Sequence, residues 1–156
     1  MRIISRSFNE SIRIGRAVAG HLKPGDIICL SGELGSGKTV LAKGIASGLR
    51  IEAFDITSSS FVIIQPHLNG RLPFYHFDLY RFNDAQDISA LGYEEYFYGK
   101  GVSVIEWPEK LGCFYPKECL KIELSHRGES ERELKFYANG FRYKELLKDI
   151  NENIGN

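Results

Sequence analysis

Gly32-Glu33-Leu34-Gly35-Ser36-Gly37-Lys38-Thr39 fills every fixed position of the pattern G-x-x-x-x-G-K-[ST], and each residue type has a physical reason to stand where it does. Glycines at 32, 35 and 37 remove side chains that would keep backbone N–H groups from wrapping a phosphate, and they admit the positive φ angles such a nest requires. Lys38 adds a mobile positive charge for β- and γ-phosphates. Thr39 offers a hydroxyl to a divalent cation, and a helix starting there aims its unpaired N–H groups and the positive end of its dipole at the same anion. The flanks agree. Asp26-Ile27-Ile28-Cys29-Leu30-Ser31 is a short apolar run suited to a buried parallel strand, and Leu41, Ala42, Ile45, Ala46 and Leu49 repeat at helical spacing. Strand, glycine loop and helix occur in the order that a seat for a nucleoside triphosphate needs.

Working outward, 156 residues suit one domain with a substantial core. Twenty acidic residues balance twenty basic ones, so overall charge gives no hint of nucleic-acid or membrane attraction. Cys29, Cys113 and Cys119 lack C-x-x-C spacing and lie in or near apolar segments, which argues for reduced, mostly buried thiols and against a disulfide framework or zinc site. No apolar run reaches membrane-span length and the N-terminus lacks a signal-peptide core, so the expected compartment is the cytoplasm.

Residues 2–6 are expected to form a short edge strand. Ser7-Phe8-Asn9-Glu10 has the S-x-x-E form of a capping box, followed by a helix with Ile14, Ala17, Val18 and Leu22 on one face. His21 is expected at the surface. After the glycine-loop helix, Thr57-Ser58-Ser59-Ser60 presents consecutive hydroxyls, readable as a polar turn or as a switch that senses a γ-phosphate through Thr57, Ser58 and Ser60. Asn69-Gly70 predicts a hairpin between residues 61–68 and 72–79. Its second strand, Phe74-Tyr75-His76-Phe77, delivers Asp78 at its end, and Val102-Ser103-Val104-Ile105 delivers Glu106 in the same manner.

Ligands in an open α/β sheet sit at the carboxyl ends of strands, so both acids are candidates to face the phosphate loop, as holders of metal and water. Either acid is also readable as a plain strand-end surface charge. Asn83 with Gln86 is expected to cap a short helix that Gly92 ends, and Tyr93, Tyr96, Phe97 and Tyr98 read as cover for the sheet or as a partner surface. Leu120, Ile122 and Leu124, then Leu134, Phe136 and Ala138, alternate as a half-buried antiparallel hairpin. Tyr143, Leu146, Leu147 and Ile150 mark a last helix, with residues 151–156 expected to fray.

His76-Phe77-Asp78-Leu79-Tyr80-Arg81 and Val104-Ile105-Glu106-Trp107-Pro108-Glu109, following the glycine loop at this spacing, resemble the bacterial TsaE (YjeE) family. The likeness extends from the helix start at Ser7 to Gly15 through the hairpin with Arg132. It implies a cytoplasmic ATPase needed for the threonylcarbamoyl modification of the adenosine next to the anticodon of certain tRNAs. In that family TsaD with TsaB transfers the threonylcarbamoyl group, and TsaE binds that pair and uses ATP to sustain turnover; direct contact with tRNA stays open.

Carried over by motif, Gly35, Ser36, Gly37, Lys38, Thr39 and Val40 would hold the phosphates. Thr39 and Glu106 would bind Mg²⁺, Asp78 would lie beside metal and attacking water, and Phe8, Ser11 and Arg132 would flank the nucleotide. Where family members read Ser-Pro-Thr-Phe or Ser-Pro-Thr-Tyr, this chain has Ser58-Ser59-Ser60-Phe61, so the switch segment loses a stiffening proline. Trp107, next to the expected metal ligand, is readable as a packing residue under the sheet edge or as an aromatic at a site mouth or partner surface.

The expected fold is a single P-loop NTPase domain of α/β class: a mixed, mostly parallel sheet, helices on both faces and an antiparallel C-terminal hairpin. The expected reaction is Mg²⁺-dependent ATP hydrolysis, with Lys38, Asp78 and Glu106 as the catalytic group, slow alone for want of an assured arginine finger. A small-molecule kinase would need a lid with arginines, yet after Asp78 they are only Arg81, Arg127, Arg132 and Arg142, widely spread. A GTP-switched binding module would carry Asn-Lys-x-Asp, which is missing from the sequence. The two strand-end acids argue against an adaptor without hydrolysis.

Overall fold

The computed structural model describes residues 1–57 and 63–154. Their strands are β1 Arg2–Ser5, β2 Ile27–Ser31, β3 Ile64–His67, β4 Phe74–Asp78, β5 Val102–Glu106, β6 Cys119–His126 and β7 Arg132–Asn139. They form one sheet in the order β1-β7-β6-β2-β5-β4-β3. Parallel pairing belongs to the four central strands β6-β2-β5-β4, and antiparallel pairs flank them on both sides. β2 lies at the centre because Ile27, Ile28, Cys29 and Leu30 are all buried, the pattern of a strand covered on both faces.

Alternation along the strands divides the core in two. Ile28, Leu30, Val102, Val104, Leu120 and Ile122 face the helices α1 Phe8–Ala19, α2 Lys38–Gly48 and α5 Phe141–Ile154. Ile27, Cys29, Phe77 and Ile105 face the other way, onto α3 Ala85–Ala90, α4 Tyr93–Phe97 and the 3₁₀ segment Pro108–Phe114. Each fully buried Leu, Ile or Phe in these layers contributes about 1.5–3 kcal/mol.

What fixes α2, and so the phosphate loop, is its contact with α1. A Cβ on Gly15 would lie 2.7 Å from the Leu41 carbonyl oxygen, and one on Gly44 would lie 2.6 Å from that of Ile12. Only glycine lets the two backbones meet there. α1 starts as its sequence predicts: the Ser7 hydroxyl accepts from Glu10 N–H at 3.1 Å, and the Glu10 carboxylate accepts from Arg6 N–H at 2.7 Å.

Several local expectations are corrected. β3 and β4 pair antiparallel as expected, but His67 pairs with Phe74, so residues 68–73 form a longer connection than an Asn-Gly turn. That connection is pulled onto the helix ends instead: Arg71 N–H donates to the Leu49 carbonyl at 2.7 Å and its guanidinium to that of Ala19 at 2.7 Å. Asp84, not Asn83, caps α3, its carboxylate accepting from Gln86 N–H at 2.9 Å.

Cys113 is exposed, whereas Cys29 and Cys119 are buried; all three are free thiols. His21 is half-buried, its carbonyl accepting from Arg142. α5 continues through residues 151–154, since Ile154 packs on the core and the Asn153 amide donates to the Asp149 carbonyl. Thr57 is exposed, its hydroxyl accepting from the Gln65 amide at 3.3 Å, and Ser58 and Ser60 lie outside the described residues.

Candidate nucleotide site

β2 ends at Ser31, and the loop that follows enters α2 through Gly35 and Gly37, at φ 77° and 102°. These left-handed values are the backbone reason for glycine at both positions. Gly37 is the N-cap of α2 and supplies no side-chain cap, so the first-turn N–H groups keep capacity for an external anion.

The two strand-end acids meet at the same edge. Asp78 and Glu106 are register partners on the parallel strands β4 and β5, of which β5 lies beside β2 and its loop and β4 next beyond. Glu106 is only 2% exposed. Its Oε2 accepts from the Thr39 hydroxyl at 3.0 Å, and its Oε1 lies 2.8 Å from His76 Nε2. The Asp78 carboxylate accepts from Tyr80 N–H at 3.1 Å, which turns the chain sharply after β4. The plain surface-charge reading of Glu106 therefore fails, because a buried carboxylate needs such partners.

Lys38 is folded onto its own loop. Its Nζ donates to the carbonyls of Gly32 at 2.7 Å and Glu33 at 2.8 Å, and it lies 3.9 Å from the centroid of the Trp107 ring. Burial lowers the pKa of this ammonium below that of an ordinary lysine, while Glu106, Glu109 and Asp78 pull it back up. Trp107 itself has φ 60°, ψ 49°, a left-handed backbone rare for a bulky residue, and its indole also packs against Tyr80 at 5.1 Å. Trp107 is partly buried, packed against the core on one side and lining the cleft on the other.

A cleft of about 590 Å³ collects these groups, lined among others by Leu34, Val40, Asp78, Tyr80, Arg81 and Glu106. On the other side of the loop a second hollow of about 280 Å³ is lined by Phe8, Ser11, Gly35, Gly37, Val40 and Arg132. Phe8 is 60% exposed there, offering an aromatic face. The Ser11 hydroxyl is buried and bonded to that of Ser5 at 2.8 Å, and Arg132 donates to the Glu129 and Glu131 carbonyls of its own hairpin. The structure thus brings the expected flanking residues beside the loop, with Ser11 occupied by a neighbour. Ser36 is buried, its hydroxyl 3.4 Å from Lys38 Nζ.

Reasoning from residue types passed over Tyr80 and Arg81 as members of the cleft, and His76 as the buried partner of Glu106 behind it. The signal was present: Phe74, His76 and Asp78 share one face of β4 by alternation, so a polar ring inside an apolar strand stands beside the acid. A larger cavity, of about 710 Å³, opens at the opposite end of the sheet around Asp26, Arg142 and Tyr143. Its buried polar groups pair with one another, Arg142 holding both oxygens of Asp26 at 3.0 and 2.6 Å and Tyr143 accepting from Ile27 N–H at 2.8 Å.

Hard oxygen donors at the loop suit Mg²⁺: the hydroxyl of Thr39 and the carboxylate of Glu106 in contact, with the Asp78 strand end alongside. Among the described residues no cluster of three or more His, Cys, Asp or Glu gathers as a metal cage. Sparse protein ligation of this kind fits an ion that keeps waters and phosphate oxygens.

The family model for the threonylcarbamoyl adenosine biosynthesis protein TsaE matches residues 5–134. The chain is 40% identical over 149 residues to the tRNA threonylcarbamoyladenosine biosynthesis protein TsaE of Bacillus subtilis, with 94% of this chain and 92% of that protein covered. Against the protein of the same description from Treponema pallidum, identity is 38% over 134 residues, covering 86% and 98%. Among solved structures, the crystal structure of Bacillus subtilis YdiB superposes with a TM-score of 0.84 at 36% identity, over 99% of this chain and 95% of that one.

Proposed function

The chain belongs to the TsaE family, with a role in tRNA threonylcarbamoyladenosine biosynthesis, and we propose that it fills that role as a single-domain Mg²⁺-dependent ATPase. The observation that carries this reading is the contact of Thr39 with Glu106 at the mouth of an uncapped helix behind a glycine loop.

Lys38 exchanges the Gly32 and Glu33 carbonyls for β- and γ-phosphate oxygens. The first-turn N–H groups of Gly37 to Val40, with those of Gly35 and Ser36, cradle the same anion. Thr39 and Glu106 hold Mg²⁺, which when bound supplies neutralisation of the charge on the phosphate oxygens. Asp78 accepts a hydrogen bond from the attacking water and fixes its direction. Phe8 and Arg132 flank the nucleotide on the far side of the loop, Ser11 supports that wall through Ser5, and Thr57, Ser58 and Ser60 form the segment that senses the γ-phosphate.

Arg132 is engaged with the Glu129 and Glu131 carbonyls of its own hairpin, which supports slow hydrolysis by the chain alone. The partners are TsaD and TsaB, in the cytoplasm, with Trp107 coupling nucleotide state to them from the site mouth. Among the described residues no helix is long and apolar enough to cross a membrane. Phosphate release from ATP, measured with the chain alone and then with TsaD and TsaB of the same organism, tests the reading. Acceleration by the pair is expected; transfer of the phosphoryl group to a small acceptor, or no release in either case, would replace it with the kinase or the adaptor.

A further inference from the structure

His76 lies in β4 with 0% exposure, a histidine inside a strand whose neighbours are Phe74, Tyr75 and Phe77. A buried imidazole has to be held by something. Its Nε2 is 2.8 Å from Glu106 Oε1, and its Nδ1 has no hydrogen-bond partner among the described residues. A carboxylate oxygen accepts, so Nε2 is the nitrogen that donates. The Phe74 ring stacks along it, 6.5 Å away and 13° from parallel. The other oxygen of the same carboxylate is the one that meets Thr39.

Resting on the reading of Thr39 and Glu106 as the metal pair, we propose that His76 is the positioning residue of that pair. Its Nε2–H fixes Oε1 and so sets the plane in which Oε2 is presented, beside the Thr39 hydroxyl, to a divalent cation. With the donor gone, the carboxylate keeps one hydrogen bond and can rotate about its last torsion, so the metal pair is no longer pre-formed. A device whose purpose was only to hold β4 against β5 would do as well with an apolar pair of similar volume, since a buried polar pair adds little net stability. The imidazole is fully buried and outside the cleft lining, so it acts through Glu106.

The test compares ADP binding in Mg²⁺ with ADP binding in EDTA by calorimetry, for the whole chain, and takes the ratio as the gain due to metal. His76→Phe keeps the ring and its stacking but removes the donor. It is expected to cut that gain by about tenfold or more, leaving affinity in EDTA close to wild type. His76→Gln, whose amide nitrogen can take the place of Nε2, is expected to restore the gain to within about threefold. If His76→Phe does not fold, His76→Asn replaces it, because its shorter amide does not reach Oε1.

In a Glu106→Gln background His76→Phe should cause no further loss. A full gain in folded His76→Phe or His76→Asn, a Gln variant no better than Phe, or additive losses in the double variant overturns the proposal. Should Glu106→Gln itself leave the gain intact, the metal reading of Glu106 falls and takes this one with it. If Glu106→Gln abolishes the gain and His76→Phe does not, only the role of His76 is lost.

Discussion

The two ends of the sheet each bury an acid, and they bury it differently. At the amino end of β2, Asp26 is 3% exposed, and the Arg142 fork together with Lys23 N–H occupies both its oxygens. At the carboxyl end of the adjacent strand, Glu106 is held by a hydroxyl and an imidazole, and the nearby lysine rests on carbonyls of its own loop. The first arrangement is closed: charge meets charge in a bidentate pair, and nothing is left for a ligand to replace. The second is provisional. The bonds of Lys38 to its loop carbonyls and of the Thr39 hydroxyl to Glu106 are ones that a phosphate and a divalent cation could take over with a gain in charge complementarity, while His76 stays on the other oxygen of Glu106. Burial of an acid therefore does not by itself mark a site, but the exchangeability of its partners does.

The sharpest break of this comparison is Lys38→Ala, which should lower hydrolysis on the order of a thousandfold while the melting temperature stays near wild type. A folded variant hydrolysing ATP at the wild-type rate would remove Lys38 from the site. At the opposite end, Arg142→Met should cost about 3 kcal/mol in urea unfolding, because it strands the Asp26 carboxylate in the interior. ATP hydrolysis per folded molecule should not change, and if it did, the two ends would not be as separate as the geometry makes them.

Next in size come the loop-end acids. Glu106→Gln and Asp78→Asn keep shape and remove charge, and each should reduce hydrolysis by roughly ten- to a hundredfold, with Glu106→Gln also shifting the Mg²⁺ titration to higher concentration. Identical Mg²⁺ curves for wild type and both variants would rule out the metal assignment.

Lys38 gives a subtler effect. Burial lowers its pKa in the free protein, and phosphate beside it favours the charged form, so the pKa rises on binding. Below the lowered value Lys38 is charged in both states and no proton moves. Between the lowered value and that of the complex, binding should take up a fraction of a proton, and nucleotide affinity should fall as pH rises through this window. Calorimetry in two buffers of different ionisation enthalpy reads that uptake directly; none at any alkaline pH would contradict the burial of Lys38.

Smallest of all is Lys121, paired with Glu123 at 2.7 Å on the half-exposed face of β6. Lys121→Ala should change unfolding stability by less than about 1 kcal/mol.

Much of this was legible in the residues, for reasons that also mark where legibility stopped. The glycine loop and its helix are local, so pattern and structure coincide from Gly32 to Leu49. The alternation of Leu120 to Ala138 likewise announced its hairpin. The turn after His67 was misjudged because Asn69-Gly70 describes only local preference, whereas Arg71 is drawn to the carbonyls of Ala19 and Leu49, at the ends of α1 and α2. The glycines at 15 and 44 gave no sequence signal of their own, since their role is a contact between two helices.

At the site, Asp78 and Glu106 stood out as acids closing apolar strands. His76 did not, since its role appears only when β4 and β5 lie side by side and one oxygen of Glu106 comes within reach. Trp107 could be placed near the site by adjacency, but its position over Lys38 depends on a left-handed backbone that no residue type at that position announces.

That contact supplies the most direct test of the central claim, that the loop, Lys38 and the Glu106 strand end form one nucleotide site. Trp107 is the only tryptophan, and a lysine that leaves its ring for a phosphate changes the indole's surroundings. Titrating the protein with Mg²⁺ and a slowly hydrolysed ATP analogue should change tryptophan emission saturably in the wild-type chain and leave it flat in Lys38→Ala. Wild-type emission that stays unchanged at saturating nucleotide would contradict the account.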